Sequence, residues 1–329
     1  MRAATLMRYG FEGVSMREDA APTASPGQLV IRTHVSSLNP VDVETVRGKN
    51  KMLLPLRPPF VPGVDLAGLV GSVGAGVSDF EVGDRVVAYT GVPTAGAFAE
   101  LVSVPASGVA KLPAEVPFAQ AAALCLSGLA GKEALAALAL PSQSRILVHG
   151  AAGSVGRVAT QLALAAGHAV VANVHSRDRE RMLDCGVSQV LCYDEEPFDQ
   201  AGLEVGGVID TVGGATFKRS FGVVRPGGAI ASLRATPEPG VLEAAGFALP
   251  WLMRPVLRLL SSPPSRKGVR IVPVVTKPDG RGLTEIMKLA AAGKLSARVG
   301  ETVPLERVGD ALERLSSGAL RGKCVVQVA

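Results

Sequence analysis

The chain has 329 residues, enough for two domains that each bury a sizeable core. With 47% hydrophobic and 19% charged residues, its composition is that of a folded globular protein and excludes a disordered one. The net charge of +5 comes from scattered basic residues, and aromatics are only 4%, so neither a phosphate-binding stripe nor a base-stacking surface is expected and no nucleic-acid partner follows.

The first 115 residues carry short β-like runs broken by turns: QLVIRTHV (28–35), LAGLVGSVG (66–74) and DRVVAYT (84–90). From about residue 119 the character changes. The most apolar window, AAALCLSGLAGKEALAALAL (121–140), is long enough to cross a bilayer, but Lys132 and Glu133 sit in its middle. A buried helix is expected there, and no membrane partner. Alanine- and leucine-rich helical stretches then alternate with the strand-like runs RILVHG, AVVANV, VSQVLCY, GVIDTVG, AIASL and IVPVV, the pattern of a parallel sheet with crossover helices. Residues 241–270 mix apolar residues with Pro250, Pro255, Pro263 and Pro264. They fit either a broken helix along a sheet edge or a lid over a hydrophobic small molecule, using Phe247, Trp251, Leu252 and Met253. Helical patterns at 284–293 and 306–318 precede a closing strand, KCVVQV.

The N-terminus, MRAATLMRYG, lacks the apolar core of a signal peptide, and Cys125, Cys185, Cys192 and Cys324 show neither C-x-x-C pairing nor a disulfide framework. Reduced thiols in a cytoplasmic protein are expected.

Residues 146–158, ILVHGAAGSVGRV, run from a strand through a Gly/Ala turn into a helix. Ala151-Ala152-Gly153-Ser154-Val155-Gly156 fits an A-x-G-x-x-G dinucleotide fingerprint, and a second strand follows. Gly153 permits close approach of a pyrophosphate, Gly156 permits close packing of helix on strand, and the helix start attracts the anion. Ala152, Ser154 and Val155 complete the cradle. NAD sites usually end the second strand with an acid. Here the chain reads NVHSRDRER, and Ser176, Arg177 and Arg179 arrive about twenty residues after Gly156. A hydroxyl and two guanidinium groups suit a 2′-phosphate, so NADPH is expected over NADH.

At this point the sequence resembles the medium-chain dehydrogenase/reductase superfamily, in its zinc-free quinone oxidoreductase and enoyl reductase branch. The matching stretches are SSLNPVDVETVRG (36–48), PFVPGVDLAGLVGSVGAGVSDFEVGDRVVAY (59–89), GAFAELVSVP (96–105), GAAGSVG, VIDTVGG, RPGG and residues 293–328. The resemblance implies an α/β protein: a GroES-like β domain of residues 1–118 and 281–329, and a Rossmann doubly wound parallel-sheet domain of residues 119–280. It also implies that Val212, in VIDTVGG, touches the cofactor, and that the IVPVV strand joins two copies into a homodimer. Zinc-dependent members carry ligands where this chain has Asn39, Val64 and the stretch around Leu126; none of these can bind zinc, so no metal is expected.

Without zinc, hydride would pass to a quinone or an activated C=C bond. Asn39 matches a family asparagine whose amide can donate to a substrate carbonyl, although before Pro40 it also suits the cap of a turn. Asp42 is read as structural. Tyrosines common in this branch near the positions of Glu44 and Asn50 are absent, which leaves the proton donor open. Lys132 is a candidate cation beside cofactor or substrate, and Glu44 and Trp251 are candidate pocket residues. A pathway-specific enoyl reduction or cyclisation, and a non-catalytic NADPH-binding role, stay open as alternatives.

Overall fold

The computed structural model describes the chain apart from residues 50, 52–55, 238, 245, 248, 250, 252, 262–264 and 267 and the side chains of 253 and 260. In chain order the strands and helices are β1 (Arg2–Leu6), β2 (Val14–Glu18), β3 (Gln28–Ser37), α1 (Pro40–Val46), β4 (Asp65–Val73), β5 (Arg85–Tyr89), β6 (Leu101–Pro105), β7 (Val109–Lys111) and the long α2 (Phe118–Leu138). Then come β8 (Arg145–His149), α3 (Ser154–Ala165), β9 (Ala169–Val174), α4 (Arg179–Asp184), β10 (Gln189–Cys192), β11 (Val205–Asp210), α5 (Gly214–Ser220) and β12 (Val224–Ser232). The chain continues through α6 (Pro239–Ala244), α7 (Met253–Leu260), β13 (Ser265–Arg266), β14 (Val269–Pro273), α8 (Gly280–Ala291), β15 (Val299–Pro304), α9 (Val308–Ser316) and β16 (Lys323–Gln327).

Two compact units result: residues 1–129, 246–248 and 277–329, and residues 130–245 and 249–276. The expected boundary at 118/119 therefore moves into α2, after Leu129, and the returning segment starts at 277 rather than 281. The physical reason is that α2 is one unbroken helix serving two cores. Its first half holds to the β domain through its backbone, where Leu126 N–H reaches Asp65 and Ala122 O lies 3.1 Å from Ser37 Oγ. Its second half places Ala134 and Leu138 in the core of the other unit. Among the described residues α2 is the one helix long and apolar enough to cross a membrane, and 67% of its most apolar window is buried inside the protein.

In the first unit, the main sheet runs β15-β16-β3-β4-β5-β7, with β6 also on β3, and β1 pairs antiparallel with β2. The C-terminal strand β16 is inserted between β15 and β3, antiparallel to β3. That insertion delivers Lys323 to the start of α1.

In the second unit the sheet order is β10-β9-β8-β11-β12-β14-β13, parallel except for β13. Side chains alternate across it as the two-residue period requires. Ile146, Val148, Val170 and Ala172 face one core with Ala159 and Ala163 of α3, whereas Leu147, Val171, Val208 and Ile230 face the other. Both faces are covered, so these strands read as continuous apolar runs. The order reverses between β8 and β11, and the crevice outside their carboxyl ends is where doubly wound sheets bind ligands. The two-residue β13 pairs with Val269 and Arg270 of β14, so part of the expected edge strand is covered by its own hairpin. Among the described residues of 241–270 are the end of α6, α7, β13 and the start of β14.

Candidate functional site

The turn after β8 is built on close backbone approach. Gly150 has φ +65, and a Cβ there would lie 2.6 Å from Thr211 Oγ1. A Cβ on Gly156 would stand 2.2 Å from Gly150 O, so α3 packs on this turn only because residue 156 has no side chain. Asn173 O, at the end of β9, accepts Gly150 N–H at 3.0 Å and Ala151 N–H at 3.3 Å, and Gly150 O accepts Gly153 N–H at 2.9 Å. Gly153 and Ser154 are exposed at the helix start, Ala152 and Val155 are half-buried, and Gly156 is buried. The first-turn N–H groups of α3 have no intrahelical acceptors and point with the positive end of the helix dipole. A pyrophosphate fits this cradle, and the fingerprint lies where the sequence placed it. Gly150 was not singled out from sequence, although a glycine directly after an apolar strand is the signal.

Beneath the turn lies a buried polar network that sequence reasoning missed. His149, the last residue of β8, places Nε2 2.9 Å from Ser220 Oγ and Nδ1 2.9 Å from Asn173 Nδ2. Ser220 Oγ–H donates to Thr216 O, so it accepts from His149 Nε2–H, and Asn173 then donates to a bare Nδ1. Burial pushes the His149 pKa down to about 4, consistent with this neutral tautomer. Asp210, ending β11, accepts the N–H groups of Val212 at 3.0 Å and Gly213 at 2.9 Å on one oxygen and Ser232 Oγ–H at 2.7 Å on the other. The aspartate of VIDTVGG is therefore a loop anchor. Val212 itself is 52% exposed.

Beyond β9, Ser176 is half-buried and Arg177 is exposed. Ser176 donates both its N–H and its hydroxyl to Asp194, at 2.8 and 2.6 Å, and Arg179 pairs with Glu195. Arg177 lies 4.0 Å from Asp178, which also pairs with Arg181. The two acids that follow β10 were not anticipated from sequence.

The first unit has its own buried cluster around Asn39. Asn39 precedes α1, and its N–H donates to Asp42 Oδ2 at 2.7 Å. Its amide Nδ2 donates to Asp65 Oδ2 at 2.8 Å and more weakly to Ser37 O at 3.4 Å, while its Oδ1 accepts from Lys323 Nζ. Asp65 also accepts Ser37 Oγ–H at 2.7 Å and Leu126 N–H at 3.0 Å, and lies 3.6 Å from Lys323 Nζ. Asn39, Asp42, Asp65 and Lys323 are all buried. Burial, and then the neighbouring Asp65 carboxylate, push Asp42 up to about 7. The Asn39 amide is turned into the protein, where Asp65 and Lys323 satisfy it, and Asn39 stands at the N-cap position of α1.

Glu44 lies half-buried on α1, and Lys132 half-buried on α2 with an interaction partner of its own. Trp251 is 77% exposed, and Phe247 is half-buried in the other unit. Asn50, Pro250, Leu252, Pro263 and Pro264, and the Met253 side chain, lie outside the described residues. Among the described residues no group of three or more His, Cys, Asp or Glu is placed to hold a metal. The donor set does not fit zinc: Asn39 and Val64 stand at ligand positions, and the cation beside Asp65 is Lys323.

A β domain joined to a doubly wound sheet, with a glycine turn at its switch point, defines a dehydrogenase-type architecture. Residues 25–114 match the alcohol dehydrogenase GroES-like domain, and residues 185–326 match the family described as zinc-binding dehydrogenase. The chain belongs to the medium-chain dehydrogenase/reductase superfamily, with quinone oxidoreductases among its relatives. It is 29% identical to a chloroplast envelope quinone oxidoreductase homolog of Arabidopsis thaliana, over 97% of this chain and 95% of the relative. It is also 29% identical to a 2-methylene-furan-3-one reductase of Solanum lycopersicum, over 99% of this chain and 79% of the relative. The solved quinone oxidoreductase of Coxiella burnetii superposes with a TM-score of 0.85 at 27% identity, covering 100% of this chain and 99% of that one.

Proposed function

We infer that this protein is a zinc-independent NADPH-dependent reductase of quinones or of carbon–carbon double bonds conjugated to a carbonyl. The observation that carries the reading is the Gly150–Gly156 turn at the switch point, with α3 opening above a pinned backbone. Its exposed N–H groups would hold the pyrophosphate, and Val212 would lie along the cofactor. Arg177, with no acid ending β9, is the group that supports a 2′-phosphate, whereas Ser176 and Arg179 are engaged by Asp194 and Glu195. A bound reduced nicotinamide supplies the hydride.

The chain's own contribution is orientation. Asn39 and Asp42 fix the start of α1, and Asp65 fixes α2 through Leu126 N–H. Solvent supplies the proton in this reading, since the tyrosines common in this branch near the positions of Glu44 and Asn50 are absent. The relatives named for quinones and for a methylene-furanone, an exocyclic enone, support the acceptor class. The protein acts as a cytosolic homodimer in this reading, paired through the remaining edge of β14.

Gly153→Asp tests the site with a tight contact rather than a clash, since a Cβ there would lie 3.2 Å from Gly150 O. Position 153 is exposed and precedes α3, where an aspartate caps the helix while placing a negative charge in the anion's path. The expected result is a folded protein, by circular dichroism and a cooperative Tm, with loss of NADPH binding, read by enhancement of reduced-nicotinamide fluorescence, and loss of NADPH oxidation with a quinone and an enone. Full binding in the folded variant overturns the reading. Gly156→Asp is the poorer probe, because any Cβ there strikes Gly150 O.

A further inference from the structure

The groups assigned to the 2′-phosphate are already held by carboxylates. Asp194 Oδ1 accepts the Ser176 N–H at 2.8 Å, and Oδ2 accepts the Ser176 hydroxyl at 2.6 Å. The same Oδ2 lies 3.4 Å from His175 Nδ1. Glu195 pairs with Arg179. The acid that dinucleotide folds use to select NADH ordinarily ends the second strand of the sheet. Here the third strand, β10, is followed by an acid that reaches across to the residue after His175, at the mouth of β9. Parallel pairing of β10 with β9, Cys192 opposite Val174, makes this reach possible.

The chemistry separates the two cofactors. A 2′-phosphate approaching Ser176 brings a second negative group beside Asp194, and it must also win Arg179 from Glu195. A ribose 2′-hydroxyl is a donor, and the Asp194 carboxylate has lone pairs left to accept it. Of Ser176, Arg177 and Arg179, it is Arg177, exposed and 4.0 Å from Asp178, that can turn toward a phosphate without breaking a close contact. The Ser176 hydroxyl also holds the Asp194 pKa below the usual carboxylate range, so this charge persists through neutral and mildly acidic solution.

We propose that Asp194 sets cofactor choice in this protein by opposing the 2′-phosphate, so that NADH is bound nearly as well as NADPH. This rests on the reading of the glycine turn as a dinucleotide site.

The test is a fluorescence titration of NADPH and NADH against wild type, Asp194→Asn and Glu195→Gln, with circular dichroism and Tm to certify folding. Wild type is expected to bind the two cofactors within a few-fold of each other. Asp194→Asn is expected to tighten NADPH about tenfold, the scale of one like-charge contact near a protein surface, with little change for NADH. Glu195→Gln is expected to act in the same direction and less, by releasing Arg179. A wild type that favours NADPH a hundredfold or more overturns the proposal. So does an Asp194→Asn variant whose two affinities move together or not at all. Binding of neither cofactor to folded wild type overturns the dinucleotide reading itself, a result that cannot be confused with the others.

Discussion

Each unit of this protein buries one polar network at the end of a sheet, and the two are built on opposite principles. The first unit uses charge: Asp42, Asp65 and Lys323, tied together by Asn39. The second uses mainly neutral hydrogen bonds, with His149, Asn173, Ser220 and Thr216 in one chain of donors and acceptors and Asp210 pinning the adjacent loop. Both tie distant segments together. A charged cluster does so strongly but leaves an uncompensated ion when one member is removed, whereas a neutral chain holds only while each tautomer stays correct. The difference predicts that mutation injures the first network most and acid injures the second most.

Lys323→Met is expected to have the largest effect. The ammonium is the cationic member of a cluster with two carboxylic acids, and removal of one partner of a buried ion pair costs roughly 3–5 kcal/mol. Chemical denaturation followed by far-UV circular dichroism measures it; the single tryptophan, Trp251, is too exposed to report on either core. Adding Asp65→Asn to Lys323→Met is expected to restore part of the loss, because it removes the stranded charge. A Lys323→Met variant as stable as wild type would mean that this cluster is not held by its charges.

The second expected effect is a loss of stability in acid. His149 titrates near 4 when folded against 6.5 when unfolded, so between those values the unfolded chain binds more protons. The associated stability is present above pH 6.5 and is lost as pH falls toward 4, on the order of 3 kcal/mol if His149 acts alone. Protonation would set an Nδ1–H against the Asn173 amide N–H, so the damage should concentrate at the turn that Asn173 O holds. Hydrogen exchange of Gly150 and Ala151 across this range is the direct measurement, and uniform protection down to pH 4 would contradict the assigned tautomer.

How much of this was legible in the sequence follows from the range of each interaction. The strands QLVIRTHV, RILVHG and AVVANV, and the turn from Ala151 to Gly156, are local signals of period and turn chemistry, and they stand where expected. The α2 boundary was not legible, because one continuous helix serves two cores and its sequence shows no break. Lys323 meets Asn39 across 284 residues, and nothing in KCVVQV distinguishes a lysine facing solvent from one inserted between β15 and β3. His149 and Asn173 are polar residues ending apolar strands beside a glycine turn, a signal that was available and carried a structural meaning rather than a ligand-binding one. Asp194 and Glu195 carry no local signal of a role; the β9–β10 register brings them to Ser176 and Arg179.

The smallest expected effect sharpens the comparison by its sign. Asp42 titrates near 7 when folded and 3.8 when unfolded, so between these values the folded chain binds more protons. Its contribution is present below pH 3.8 and is lost as pH rises through 7, opposite in direction to that of His149. Asp42→Asn keeps an oxygen for the Asn39 N–H and carries no charge at any pH. At pH 5 the substitution should therefore change stability by no more than about 1 kcal/mol. At pH 8 it should be neutral or stabilising relative to wild type, because the wild-type cluster then holds an ionised Asp42 beside Asp65. The stability profile of Asp42→Asn should keep the acid limb set by His149 and flatten on the alkaline side. An Asp42→Asn variant that loses more at pH 8 than at pH 5 would show instead that the ionised carboxylate is what the cluster needs, with Lys323 as its partner as much as Asp65's.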